Sequence, residues 1–141
     1  VVERMGGPSL INQNARYSGL PGRPQGVPPK IAIVTYFFND KAGAELRKMC
    51  WSNQQKYASI HGYDIYDGAQ VPAIQDQLDG MREKMHNFFY FKYAATLEVL
   101  RGGEATGGKS YDWVIWVDPD AIFLNQGKRY EDVLDERFNV I

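Results

Sequence analysis

The segment WVIWVDPDAIFLN, Trp113 to Asn125, places two carboxylates and a proline between two apolar runs. Trp113 to Val117 lead straight into Asp118, and Ala121 to Leu124 turn apolar again directly after Asp120. A polar group buried without a hydrogen-bond partner costs roughly 2–7 kcal/mol, and an unpaired charge more. The two acids must therefore sit in a turn facing water or meet a cation. The run before them reads as a buried strand, which puts the carboxylates at a strand exit, where open parallel sheets gather their ligands.

The rest of the chain supplies the sheet. KIAIVTYFF, Lys30 to Phe38, is β-branched and aromatic on both alternating faces, the pattern of a central strand covered on both sides. After NDKAG, the spacing of Leu46, Met49, Cys50, Asn53, Tyr57 and Ile60 predicts a helix, and His61–Gly62 supplies its stop. YDIYD, Tyr63 to Asp67, follows as a short strand, so the first three elements form a parallel crossover unit. Residues 69–80 are polar and interrupted by Pro72, and are expected to be loop. A second helix is predicted over Met81 to Arg101, with Met81, Met85, Phe88, Ala95 and Val99 on one face, widened by Phe89, Tyr93, Leu97 and Leu100. Gly102–Gly103 ends it, GGEATGGKS is expected to be a flexible loop, and Trp113 to Val117 is the third strand. Alternation of strand and helix predicts an α/β sandwich with a mainly parallel sheet. Tyr130 to Phe138 reads as the opening of a further helix.

Gly6 to Pro29 holds five prolines and five glycines with few apolar residues, a composition that buries too little surface to offset backbone ordering. Residues 1–29 are read as a tail or linker, or as an extended segment pinned by Leu10, Ile11, Tyr17 and Leu20, and residues 30–141 as the domain. The 16 basic and 17 acidic residues, net charge −1, are mixed along the chain, which leaves no basic field for a nucleic-acid backbone or an anionic membrane. Cys50 is the only cysteine, which excludes an internal disulfide and a cysteine-based zinc site. No apolar run reaches the ~20 residues that a membrane helix requires. The chain opens on Val1 with no charged-then-apolar signal segment and no initiator Met, as expected of a trimmed chain, a processed product or a fragment, a start that does not exclude a removed anchor or signal.

An Asp-x-Asp read as extended presents two oxygen-only ligands on one side, with Pro119 stiffening the backbone between them. Hard divalent cations take such ligands, and Mg²⁺-type ions are commonly held by one or two carboxylates plus substrate phosphates. The pair therefore points to a metal-bound diphosphate. The plainer reading is a polar turn, since Asp and Pro are both turn residues.

Taken together, KIAIVTYFF, a helix ending in HGYDIY, a helix bearing a lysine and WVIWVDPDAIFLN resemble the N-terminal half of a GT-A-fold glycosyltransferase. The group is the Golgi family of galactosyl-, mannosyl- and xyloglucan xylosyltransferases, and the likeness covers about Lys30 to Asn125. It implies a partial Rossmann-like GT-A three-layer sandwich and a nucleotide-sugar donor, UDP- or GDP-linked. It also implies Mn²⁺ or Mg²⁺, with Asp118 reaching ribose or metal-bound water and Asp120 binding the metal directly, and a glycan hydroxyl as acceptor with retention of configuration. By the same resemblance the protein belongs in the Golgi lumen as part of a type II membrane protein, with the Pro/Gly-rich start as its stem. The family draws a third metal ligand, usually His, from well after the motif, and its acceptor region follows there too; a fragment or an unusually short homologue lacking both is expected here.

Lys92 lies on an otherwise apolar helix face. It either snorkels to water or pairs with the acidic motif or a phosphate oxygen. Thr35, Tyr36 and Phe37, at the exit of the first strand, are candidates for the nucleotide pocket, an aromatic face stacking on the base and Thr35 meeting its edge; core packing is the alternative. His61 reads as a helix-end cation and His86 as a polar surface position, neither as a metal ligand. Asn125 reads as a turn former or a contact to the donor sugar. Two rival functions remain. Aspartate-nucleophile phosphatases also carry Asp-x-Asp, but after their first strand and with further residues downstream. A non-catalytic α/β module with solvated carboxylates is the other.

Overall fold

The computed structural model describes residues 27–84 and 91–134. These fall in two compact units, one of residues 30–128 and one holding the described stretches 27–29 and 129–134. The larger unit is mixed α/β, built on a three-stranded, all-parallel sheet. Its elements are β1 (Ile31–Thr35), α1 (Lys41–His61), β2 (Asp64–Asp67), α2 (Pro72–Lys84), α3 (Phe91–Arg101) and β3 (Trp113–Trp116), with 3-10 turns at Gly68–Gln70 and Gly103–Thr106. The strand order is β2-β1-β3. Ile33 pairs in register with Ile65 and with Ile115, so β1 is the centre of the sheet.

That position explains its composition. Ile31 to Thr35 are all buried, because neighbours flank both edges and helices cover both faces. Ala32, Val34 and Tyr36 pack with Ile74 and Leu78 of α2 and Phe91, Ala95 and Val99 of α3. On the opposite face, Phe37 meets Trp51 of α1 edge-on, with ring centroids 5.7 Å apart. Burying Phe91 and Val99 contributes about 1.5–3 kcal/mol each relative to leaving them in water. The fold is compatible with part of a Rossmann-like α/β domain.

Local signals set the ends of α1. The Asp40 carboxylate accepts from the Gly43 amide at 2.7 Å and caps the start. Gly62, at φ 72°, ends it in the left-handed conformation, while the Tyr63 amide donates back to the Ala58 carbonyl at 2.9 Å.

Four expectations are corrected. Residues 69–80 are not loop: a 3-10 turn leads into α2 at Pro72, because proline in the first helical turn lacks only an amide that would have no partner there. GGEATGGKS is ordered, with Ala105 and Thr106 buried and the Thr106 hydroxyl donating to the Lys109 carbonyl at 2.6 Å. β3 is half-buried instead of buried, since it forms an edge of the sheet. The apolar faces are narrower than their spacing suggested, for Met49, Ile60, Tyr93, Leu97 and Leu100 are all exposed. Only the stripes that meet the sheet are covered: Cys50, Gln54, Tyr57 and Ala58 on α1, and Phe91, Ala95 and Val99 on α3. Met85, Phe88, Phe89 and His86, with the tail before Val27 and the end of the expected helix beyond Leu134, lie outside the described residues.

In the smaller unit, a 3-10 turn spans Tyr130–Asp132, and the Arg129 guanidinium donates to the buried Glu131 carboxylate at 2.5 Å.

Candidate functional site

The strand order β2-β1-β3 means that the sequence steps from β1 to one side and then returns to the other, so the reversal lies between β1 and β3. Ligands of open α/β sheets bind beyond the carboxyl ends of strands at such a reversal. The Val117 amide donates to the Val34 carbonyl at 2.9 Å, extending the pairing one residue past β3. Thr35 to Phe37 and Asp118 to Asp120 therefore leave the sheet side by side.

The Asp-x-Asp is a turn, not an extended run. The Ala121 amide donates to the Asp118 carbonyl at 3.0 Å, closing a tight turn over Pro119 and Asp120. Proline's fixed φ suits the second position of such a turn and works against continued strand. Asp118 and Asp120 are both exposed, so the cost of burying them is avoided. The Trp116 indole N–H donates to Asp118 Oδ1 at 2.7 Å and holds one carboxylate oxygen in place. The remaining oxygens face solvent.

Behind the turn stands α1. Gln54, wholly buried, donates through Nε2 to the Ala121 carbonyl at 2.9 Å and the Asp118 carbonyl at 3.2 Å. Its neighbour Asn53 pairs with both backbone groups of Phe123, accepting from the amide at 2.7 Å and donating to the carbonyl at 3.2 Å. Tyr57 stacks on Phe123 with ring centroids 3.7 Å apart, and its hydroxyl donates to the Lys128 carbonyl at 2.7 Å. His61 Nε2 meets the Gln126 carbonyl at 2.8 Å, which makes Nε2 the protonated nitrogen. One helix thus satisfies the backbone of an irregular segment that no strand covers. Asn53 and Tyr57 were visible in the sequence only as members of a helical face, and Gln54 was missed. Its signal was an amide set between Cys50 and Tyr57–Ala58 on a stripe otherwise fit for burial.

Thr35, Tyr36 and Phe37 are buried, their rings engaged in the core: Tyr36 lies edge-on to Phe38 and Phe91, and Phe37 to Trp51. The Thr35 hydroxyl and Gln54 Oε1 are buried without a hydrogen-bond partner. Lys92 follows Phe91, which touches Tyr36, so α3 brings it to the same end of the sheet. Its ammonium lies 5.6 Å from the centroid of the Tyr93 ring, and among the described residues it forms no ion pair with either aspartate. Asn125 closes a turn, its side-chain oxygen accepting from the Gly127 amide at 3.1 Å.

A second missed node fixes the two strand exits. Asp67, at the end of β2, is almost fully buried; its Oδ1 accepts from the Phe37 amide at 3.3 Å and the Ala69 amide at 3.0 Å, and its Oδ2 pairs with Arg47. The Arg47 guanidinium also lies over the Phe37 ring, 5.1 Å from its centroid.

As a donor set, two solvent-facing carboxylates suit a hard divalent cation. Among the described residues no group of three or more His, Cys, Asp and Glu side chains is assembled for a metal; the Asp118 and Asp120 carboxylates alone would make only part of a shell, of the kind that phosphate oxygens and water complete. No helix among the described residues is long and apolar enough to cross a membrane. Comparison with known proteins returns no match: no family model fits the sequence, and neither a curated protein nor a solved structure matches it.

Proposed function

We propose that the chain carries the nucleotide-sugar-binding part of a metal-dependent GT-A glycosyltransferase of the Golgi type, which transfers a hexosyl or pentosyl unit from a UDP- or GDP-linked donor to a glycan hydroxyl. The reading rests on the sequence resemblance, and one structural observation supports it above the others. Asp118 and Asp120 stand on a solvent-facing turn at the exit of β3, beside the exit of β1, where the strand order reverses.

In this reading the two carboxylates hold Mn²⁺ or Mg²⁺ against the donor's diphosphate, Asp120 directly and Asp118 with its orientation set by Trp116. When bound, such an ion supplies neutralisation of the charge that builds on the departing diphosphate. The chain's own part is to keep the carboxylates aimed. Lys92, at the same end of the sheet, adds a cation that reaches a phosphate oxygen by leaving the Tyr93 ring. Thr35, Tyr36 and Phe37 serve through the shape of the β1 exit, since their side chains are enclosed. A base stacked on Tyr36 or Phe37 requires that exit to open.

The test is affinity for UDP-sugar and GDP-sugar, with and without Mn²⁺, in wild type and Asp120→Asn. Metal-dependent binding lost in the variant supports the reading; equal affinity in all four conditions removes it. The rival reading is a non-catalytic module. It draws on the exposure of both acids and on the absence of a third ligand among the described residues. A melting point unmoved by Mn²⁺ favours it, because a ligand that binds only the native state must raise that temperature.

A further inference from the structure

We propose that Gln54 is a positioning residue, whose buried side-chain amide sets the shape of the Asp118–Ala121 turn and so the approach of the two carboxylates to a shared divalent ion. The proposal rests on the metal-binding reading above. Its own support is geometric. The two hydrogens of one amide group reach the carbonyls of the first and last residues of the turn, at 3.2 Å and 2.9 Å. No other described side chain spans both ends.

Core packing does not account for this residue. Gln54 is 0% exposed and its Oε1 has no hydrogen-bond partner, a cost that its two bonds to the carbonyls of the turn must offset. The turn closes itself through the Ala121 amide and the Asp118 carbonyl, and Pro119 restricts its own φ; what the Gln54 amide adds is an anchor that ties both ends of that turn to α1. Because the acids are exposed and Trp116 orients only Asp118, the direction of Asp120 depends on that backbone. Supporting contacts of this kind typically change metal affinity by about 10- to 100-fold.

The experiment uses the full 141-residue chain. Mn²⁺ affinity in the presence of UDP, thermal unfolding, and hydrogen exchange of the Ala121 amide without metal are measured for wild type, Gln54→Met and Tyr57→Phe. Gln54→Met keeps the length and bulk of the side chain but removes both donors. Tyr57→Phe removes one hydrogen bond to the same segment at Lys128, far along the chain from the acids. The expected result is faster Ala121 exchange and Mn²⁺ affinity lowered roughly tenfold or more in Gln54→Met, with neither change in Tyr57→Phe. If Gln54→Met fails to fold, Gln54→Asn, which keeps the amide but shortens its reach, takes its place with the same expectation. Wild-type affinity retained in the Gln54 variant overturns this inference alone. No Mn²⁺ binding by folded wild type overturns the metal reading and the inference with it.

Discussion

Asp67→Asn changes almost nothing in shape and removes the charge that ties the exits of β1 and β2 together. The Asp67 side chain is 2% exposed. Asparagine keeps an oxygen for the Phe37 and Ala69 amides, but those bonds fall from charge-assisted to neutral, about 1 kcal/mol lost for each. Its amide nitrogen then turns a donor toward Arg47, which has only donors to offer. Breaking a fully buried ion pair costs about 3–5 kcal/mol. Because the Arg47 side chain is 31% exposed, water takes up part of its charge, and we reduce that figure to about 1–2 kcal/mol. The expected total is about 3–4 kcal/mol, a large share of the ~5–15 kcal/mol that holds a typical domain folded. With a urea slope near 1.5 kcal/mol/M, the unfolding midpoint drops by about 2 M. Arg47→Met and the double variant complete the cycle, and the double variant should be less destabilised than the sum of the singles by about 1–2 kcal/mol. A midpoint for Asp67→Asn within about 0.3 M of wild type refutes the assignment of Asp67 as a structural node.

At the other end of the sheet, Asp64 accepts from Lys109 at 2.8 Å and from Tyr111 at 2.7 Å, and the Tyr66 and Tyr111 hydroxyls meet at 2.5 Å. Burial raises the Asp64 carboxyl, but the hydrogen bonds from Lys109 and Tyr111 and the Lys109 charge outweigh it and leave it below its ordinary 3.8. Its contribution is therefore present above pH 3.8 and lost as pH falls through the lower folded value, so the Tm gap between wild type and Asp64→Asn should narrow from pH 5 to pH 2.5; a constant gap contradicts this. Burial, then hydrogen bonds to Tyr66 and Asp64, push Tyr111 above its ordinary 10.0, and stability from its neutral phenol is lost as pH rises through the folded value. Tyr111→Phe should therefore flatten the alkaline limb of the wild-type Tm profile. Gly43→Ala should destabilise by about 1–3 kcal/mol in urea melts although alanine is the better helix former, because its Cβ would meet the Phe38 carbonyl; a gain in stability refutes the contact. Trp116→Phe removes the 2.7 Å hydrogen bond to an exposed carboxylate and should cost under about 1 kcal/mol; if the proposed metal site is correct, added Mn²⁺ should change tryptophan fluorescence in wild type and change it less in the variant.

The strands were legible because their signal is local. IAIVT could be placed at the centre of a sheet from its apolar character on both faces, and His61–Gly62 marks a helix end that φ 72° at Gly62 bears out. What failed were inferences that depend on neighbours far along the chain. Pro72 reads as a breaker in a polar stretch, yet Ile74 and Leu78 beside it enter the core on Tyr36 and Phe91, and that burial turns the proline into a helix start. Met49 and Ile60 fit a 3.6-residue period as well as Cys50 and Tyr57 do. Which stripe is buried depends on what α1 has to cover.

What α1 covers also explains why only half of the candidate site was legible. The acids could be found because two charges between apolar runs violate local pattern. The residues that hold them could not, because Asn53 reads only as one member of a helix face and the partners of Gln54 and Asn53 appear only once the segment after β3 is known to fold back over the helix. An irregular segment beside a core has backbone groups that no strand partner satisfies, and each left bare costs about as much as a lost hydrogen bond. Side-chain amides meet that demand, since one group can serve a carbonyl and an amide together, as Asn53 does at Phe123. The polar side chains inside α1 and the exposed acids of the turn are thus two consequences of one arrangement. A chain that ends a half-buried edge strand in a turn, to keep its carboxylates in water, must carry polar partners for that turn elsewhere. Here they lie on the helix that directly follows β1.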